Sequence, residues 1–256
     1  MQGKNILVTG ASSGIGREFA VQIAKLYRNI DEIWVTARRA ERLEQLKKEL
    51  DVRVKIYTGN LCDDEIYNKI EAALKNENIE IRMLVNAAGY GKMEKVDAGD
   101  PKEQCGMLDV NCRALTRMTM LCIPFLSSGS RIVNIASAAA FCPQPGFAVY
   151  AASKSYVYSF SLALGAELEK RSITVTTVCP GPVDTEFFER AGALPSKEKA
   201  AVRASASEVV KQALLDSVNR KTISVYGMPM KCARIFAGIL SDRLLTRIMK
   251  RINHIN

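Results

Sequence analysis

Short β-branched apolar runs, separated by amphipathic stretches several helical turns long, limit what this chain can fold into more than any other feature. The runs at 5–8, 33–35, 52–57, 83–85, 132–135, 175–178 and 222–225 read as strands. Several are β-branched on both faces, as a parallel sheet covered on both sides requires. The stretches at 14–27, 40–50, 63–75, 101–123, 150–171 and 207–219 carry helical periodicity. Asp100-Pro101 supplies a helix start, an N-cap followed by proline at the first helical position. Repeated β-α-β units with right-handed crossovers predict an α/β chain: one doubly wound domain, a parallel sheet of about seven strands with helices on both faces. That domain is expected over 1–230, with 231–256 as a basic amphipathic extension of it.

Composition narrows the chemistry. The 256 residues are 48% apolar and 25% charged, a globular balance that excludes a disordered or fibrous chain. One histidine, His254, stands near the end, so a Ser-His-Asp triad or a two-histidine zinc site has no material. The seven cysteines are scattered without a C-x-x-C pair. They imply a reducing compartment and no metal cluster, and most of them read as small buried apolar residues. With no apolar stretch long enough to span a bilayer and no signal sequence before the first strand, the expectation is a cytoplasmic protein. The net charge of +9 suits an anionic partner, yet no binding motif or basic–aromatic interleaving points to nucleic acid.

The first strand runs into Thr9-Gly10-Ala11-Ser12-Ser13-Gly14-Ile15-Gly16 and then a helix. Glycines 10, 14 and 16 permit a sharp turn and close approach of a ligand. The helix start aims free N–H groups and its positive dipole end at the turn, which suits a pyrophosphate. T-G-x-x-x-G-x-G resembles the short-chain dehydrogenase/reductase family. Asn86-Ala87-Ala88-Gly89, Asn111, Ser137, Tyr150 with Lys154, and Pro180-Gly181 followed by Val183 and Thr185 are similar to its further motifs, in order, over about residues 4 to 226. The resemblance implies a Rossmann domain holding a nicotinamide cofactor. It assigns cofactor contacts to Gly10, Ser12, Ser13, Gly14, Ile15, Gly16, Asn60, Leu61, Asn86, Ala87, Gly89, Tyr150, Lys154, Pro180, Gly181, Val183 and Thr185.

Tyr150 and Lys154 are four residues apart on a helix and share a face. A free tyrosine has a pKa near 10, and a neighbouring ammonium is expected to lower it toward the operating pH. This acid–base pair needs no histidine. By resemblance, Tyr150 exchanges the proton with a carbonyl or alcohol oxygen and Ser137 hydrogen-bonds that oxygen. Lys154 binds the nicotinamide ribose and tunes Tyr150, while Asn111 helps hold Lys154 and a relay water. Each residue alone also has a bland reading, as a surface pair, a turn serine or a helix polar residue. Their joint order makes them the catalytic candidates.

After the second strand stand Ala37, Arg38 and Arg39, where NAD-specific members of such folds place an acidic residue. Arginine can bind a 2′-phosphate through charge-assisted hydrogen bonds, so the expected cofactor is NADP(H). A solvated charge pair is the alternative for Arg38 and Arg39, and Arg17 near the turn adds support. Asn60-Leu61 departs from the Asp-apolar pair with which the family often brackets the adenine.

The substrate segment is expected at 185–205, with Phe187 and Phe188 covering an apolar substrate, or one of them packing in the core, and 138–147 forming another wall. The stretches 147–154 and 178–187 resemble a subgroup that includes long-chain 3-ketoacyl reductases. The reading is an apolar carbonyl or secondary alcohol, a hydroxysteroid/ketosteroid pair, with a 3-oxoacyl substrate or a non-catalytic NADP(H)-binding sensor as alternatives. Residues 231–256 hold six Lys/Arg and one acid, +5 in all. Packing on the domain, over the pocket mouth or against a second subunit is the reading taken, and contact with an anionic membrane surface is the alternative. The family's oligomers imply a homodimer or homotetramer through 101–123 and 150–171.

Overall fold

The structure, a computed structural model, describes residues 3–76, 79–192 and 203–255. The chain runs β1 (Gly3–Thr9), α1 (Gly14–Leu26), β2 (Glu32–Ala37), α2 (Ala40–Glu49), β3 (Val54–Thr58), α3 (Asp64–Asn76) and β4 (Ile79–Asn86). It continues through α4 (Pro101–Leu108), α5 (Leu115–Cys122), β5 (Leu126–Ile135), α6 (Ala148–Leu168) and β6 (Thr174–Val178). The last part holds the short strands β7 (Val183–Asp184), β8 (Ala204–Ser205) and β9 (Ile223–Ser224), with helices α7 (Phe187–Ala191), α8 (Ala206–Val218), α9 (Met228–Ile239) and α10 (Asp242–Ile252).

Seven strands make one parallel sheet in the order β3-β2-β1-β4-β5-β6-β9. Side chains alternate across it, so β1 sends Ile6 and Val8 to one face and Leu7 to the other. Phe19 and Ile23 of α1, Leu43 and Leu46 of α2, and Val210 and Leu214 of α8 cover the first face. Ile66 and Ile70 of α3, Met118 of α5, and Leu164 and Leu168 of α6 cover the second. The chain crosses from β3 at one edge back to β4 beside β1. The reversal therefore opens a crevice at the carboxyl ends of β1 and β4, the standard ligand position in such sheets.

A buried polar ladder ties the centre of the sheet to its helices. Asn86 Nδ2 donates to Thr119 Oγ1 and to Asn134 Oδ1, each at 2.9 Å, and Asn134 Nδ2 donates to Ser161 Oγ at 2.9 Å. These rungs join β4 and β5 to α5 and α6 with no water needed.

Three expectations change. The helix expected over 101–123 starts as foreseen, with the Asp100 carboxylate accepting from Lys102 N at 2.9 Å, but a π-helical turn, Asp109–Ala114, splits it. Such a turn adds a residue to the coil and rotates the side chains it contains. Only Cys122 and Cys179 of the seven cysteines are buried, and Cys105 and Cys232 lie exposed because they fall on outward helix faces. The basic tail folds as two helices, interrupted at Leu240 and Ser241. The expected substrate segment, 185–205, begins just after β7, which pairs in parallel with β8 at its end, and 193–202 lies outside the described residues. Among the described residues no group of metal-ligating side chains occurs and no helix is long and apolar enough to cross a membrane.

Asn134→Ala removes one of the two acceptors of the Asn86 amide and the donor to the Ser161 hydroxyl, breaking two buried rungs of the ladder. It is expected to cost about 1–3 kcal/mol, read as a lower midpoint with unchanged slope in urea denaturation.

Candidate active site

The turn after β1 is built for close backbone approach. Gly10 and Gly14 hold φ of +68° and +55°, values that a side chain resists. A Cβ on Gly10 would lie 2.7 Å from the backbone N and Cα of Ala88, and one on Gly16 would strike the carbonyl of Gly10. Ser13 caps α1 in extended conformation and offers its first amides no side-chain acceptor, so donors and dipole face the crevice. Ile15 half-buries against the first apolar layer. Gly14 faces the Thr185 methyl, at 3.3 Å from a built Cβ. This cradle fits the phosphates of a dinucleotide, with donors supplied by Gly14, Ile15 and Gly16 and hydroxyls by Ser12 and Ser13.

Arg39 reaches across the same turn. Its Nη2 donates to Ser12 Oγ at 3.0 Å and Ser13 Oγ at 2.6 Å, and its Nη1 pairs with Glu186 at 2.9 Å. Arg42 also pairs with Glu186, and the two guanidiniums hold that carboxyl below its ordinary range. Arg38 is exposed and among the described residues has no ion-pair partner. Ala37 is buried at the strand end. No carboxylate occupies the position just after β2, where NAD-specific members of such folds place one.

On the other side of the crevice, α6 carries the expected pair. Tyr150 and Lys154 are 7% and 5% exposed, and Lys154 Nζ lies 5.7 Å from the Tyr150 ring centre. Lys154 donates to the carbonyl of Ile135 at 2.9 Å, which anchors it to the end of β5. Ser137 caps the short turn that follows, accepting from Ala139 N at 3.1 Å, and its hydroxyl is near enough to the Tyr150 phenol to favour the phenolate. Asn111 comes from the π-helical turn. Its Oδ1 accepts from Tyr90 N at 3.0 Å, and its Nδ2 donates to Tyr90 O at 2.9 Å and Ser153 Oγ at 3.0 Å. Asn111 thus secures the chain after Gly89 and the first turn of α6, whereas the direct bond to Lys154 comes from Ile135. Gly89 lies between them: a Cβ there would lie 2.8 Å from Asn111 Oδ1 and 3.4 Å from Lys154 Nζ.

The expected direction of the Tyr150 shift is reversed. Burial pushes the phenol up to about 12 against the lowering effect of the Ser137 hydrogen bond. The same burial brings Lys154 down to about 8 from its ordinary 10.5. Desolvation, which disfavours the charged form of each group, is the largest cause of both shifts. Tyr150 is consequently neutral across physiological pH.

Several assigned positions are occupied by structural bonds. Asn60 Oδ1 accepts from Cys62 N at 3.2 Å and so closes its own turn, and Leu61 is buried in the second apolar layer. Asn86 spends its side-chain amide on the polar ladder. Ala87 and Ala88 donate their backbone N–H to Thr9 Oγ1 at 3.1 Å each. Arg17 pairs with Glu49 of α2, away from the turn. Pro180 accepts from Ala138 N at 2.8 Å, and Gly181 lies under Met230 of α9. Val183 is buried in β7 and joins the first apolar layer.

Sequence reasoning missed Tyr90, Gly91, Ser153 and Glu186. Phe147 stacks on Tyr150 at 4.1 Å between ring centres, and Phe187 lies 5.4 Å away. Gly91 makes room for both phenyl rings, since a Cβ there would meet them at 2.6 and 2.8 Å. The only available signal was the glycine two residues beyond the N-A-A-G motif.

Fold and site together define an α/β dinucleotide-binding oxidoreductase with a tyrosine–lysine pair. The model of the family described as short chain dehydrogenase matches residues 4–194, and the chain belongs to that family. Sulfoacetaldehyde reductase 2 of Chromohalobacter salexigens is 34% identical over 194 residues, 71% of this chain and 73% of that protein. A very-long-chain 3-oxoacyl-CoA reductase of Anas platyrhynchos is 35% identical over 192 residues, 71% of this chain and 60% of that protein. A solved short-chain dehydrogenase from Sphingobium yanoikuyae, in complex with NADPH, superposes with a TM-score of 0.77 at 26% identity, covering 92% of this chain and 93% of that one.

Two predictions follow from the geometry. Tyr150→Phe keeps the ring packing and removes the proton, so turnover falls by about 10²–10⁴-fold while cofactor binding, read by fluorescence titration, persists. In the cofactor-free protein the buried Lys154 ammonium destabilises the fold below pH 8, and that penalty fades as pH rises from 8 toward 10.5, where the unfolded chain also loses the proton. Lys154→Met therefore raises Tm by on the order of 5 °C at pH 7, with a smaller gain at pH 10 in matched thermal melts.

Proposed function

We propose that this chain is an NADP(H)-dependent reductase of a carbonyl group on an apolar carbon chain, with a 3-oxoacyl thioester as the favoured class. The observation that carries the reading is the neutral, buried Tyr150 phenol, held by Ser137 and enclosed by Phe147 and Phe187. When bound, the nicotinamide supplies the hydride for the carbonyl carbon. In this reading the Ser137 and Tyr150 hydroxyls both hydrogen-bond the carbonyl oxygen. Tyr150 then gives that oxygen its proton, and Lys154 stabilises the phenolate left behind. The aromatic rings exclude water from this transfer.

For the 2′-phosphate, the support is Arg38 with no ion-pair partner among the described residues, Arg39 on the Ser12 and Ser13 hydroxyls, and the lack of a carboxylate just after β2. For the acyl class, it is the phenylalanine enclosure together with the 3-oxoacyl-CoA reductase among the relatives. The steroid expectation has no counterpart among the relatives named above, and the 3-oxoacyl alternative takes its place. The chain's likeness to sulfoacetaldehyde reductase makes a small anionic aldehyde the second arm of the test.

NADPH should exceed NADH in kcat/KM by at least tenfold, about 1.4 kcal/mol, and Arg38→Ala should erase most of that preference. Activity should rise with acyl length across a 3-oxoacyl-CoA series assayed beside sulfoacetaldehyde and a ketosteroid. Equal use of the two cofactors defeats the cofactor assignment, and preference for the aldehyde defeats the acyl one.

A further inference from the structure

The last two helices turn apolar side chains outward. Met228, Cys232, Ile235, Phe236 and Ile239 recur at spacings of three and four on α9 and share one face. Met228, Ile235, Phe236 and Ile239 are 68%, 62%, 59% and 73% exposed. The inner side of α9 is held by Met230, which lies over Gly181. A helix packed for its own stability shows the reverse arrangement, with its apolar stripe inward. On α10, Leu245 is buried while Leu244 and Ile248 remain 43% and 37% exposed, bordering the basic side of the helix.

Charge surrounds this apolar face. Lys231 and Arg234 lie on α9, and Arg243, Arg247, Lys250 and Arg251 lie on α10, against the single acid Asp242. Among the described residues, none of the six cations makes an ion pair. A second copy of the same face would set +5 against +5, a repulsion that works against self-association. An anionic lipid surface answers both features at once: its phosphates meet the cations and its acyl boundary takes the apolar side chains. Neither helix is long and apolar enough to cross a bilayer, so the pair lies in the surface plane.

We propose that α9 and α10 seat the protein on an anionic lipid bilayer, with Ile235, Phe236, Ile239, Leu244 and Ile248 entering the headgroup–acyl boundary. Both ends of this arm reach the walls of the substrate site. Met230 covers Gly181, and Asn253 donates to Gln144 Oε1 at 3.3 Å and to the Pro145 carbonyl at 2.8 Å.

The test is co-sedimentation of the full chain with vesicles of pure phosphatidylcholine or of phosphatidylcholine with about 30% phosphatidylglycerol, paired with sedimentation velocity in the absence of lipid. The expected result is partitioning at least about tenfold stronger on the anionic vesicles and weakened by salt. The exposed-site variants Phe236→Asp with Ile239→Asp, and Arg243→Gln with Arg247→Gln, should each lose about tenfold in partitioning and keep the parental Tm and NADPH binding. Absence of an anionic preference overturns the proposal, as does unchanged partitioning of the aspartate variant. A lipid-free dimer that the aspartate variant dissolves also overturns it and gives the face to a second copy.

Discussion

Where β1 ends, the backbone at Gly10 runs against the backbone at Ala88, with space for a hydrogen and nothing larger. Thr9 closes that contact by accepting from the amides of Ala87 and Ala88. The two central strands thereby leave the sheet as one joined layer, and the rest of the site is set from it. Gly89 follows directly, placing the chain under Asn111 and Lys154. Tyr90 then offers both backbone groups to the Asn111 amide. A substituent at Gly10 would therefore displace the segment that sets the catalytic helix as well as the phosphate turn.

That helix makes the proton chemistry rigid. Tyr150, Ser153 and Lys154 share α6, and each is held by a different neighbour: the Phe147 ring, Asn111 and the Ile135 carbonyl. Burial has opposite effects on the two titrating groups because it disfavours charge on both, raising the phenol and lowering the ammonium. A buried neutral acid beside a hydroxyl donor is a suitable ground state for protonating an oxygen that gains negative charge in the transition state.

Much of this was legible in the residues. Alternating runs marked the sheet and its helices, and the glycine spacing marked the tight turn after β1. Other parts depend on contacts that no local pattern encodes. Nothing in Asp109–Ala114 marks a π-helical turn, since the extra residue is stabilised by the bonds Asn111 makes to distant Tyr90 and Ser153. Asn60 and Asn86 resemble ligand residues by position, yet their side chains close a turn and a core ladder. The sign of the Tyr150 shift depends on how dry the helix face is, which Phe147 and Phe187 decide from outside the motif. The outward apolar face of α9 has the same periodicity as an inward one.

The division of labour between α6 and α7 has a consequence for how such a protein can change over generations. The groups proposed to handle the proton come from 111–154 and are tied to the sheet by buried bonds. The wall that touches them from the other side is the five-residue helix α7, Phe187–Ala191, held at its ends by Glu186 to Arg39 and Arg42 and by the Ala191 carbonyl to Met93 N at 2.9 Å. Substitutions or insertions in that small element can reshape what enters the crevice at little cost to the core. Drift in substrate taste is then mechanically separate from drift in catalytic competence, and a lineage can explore the first while holding the second.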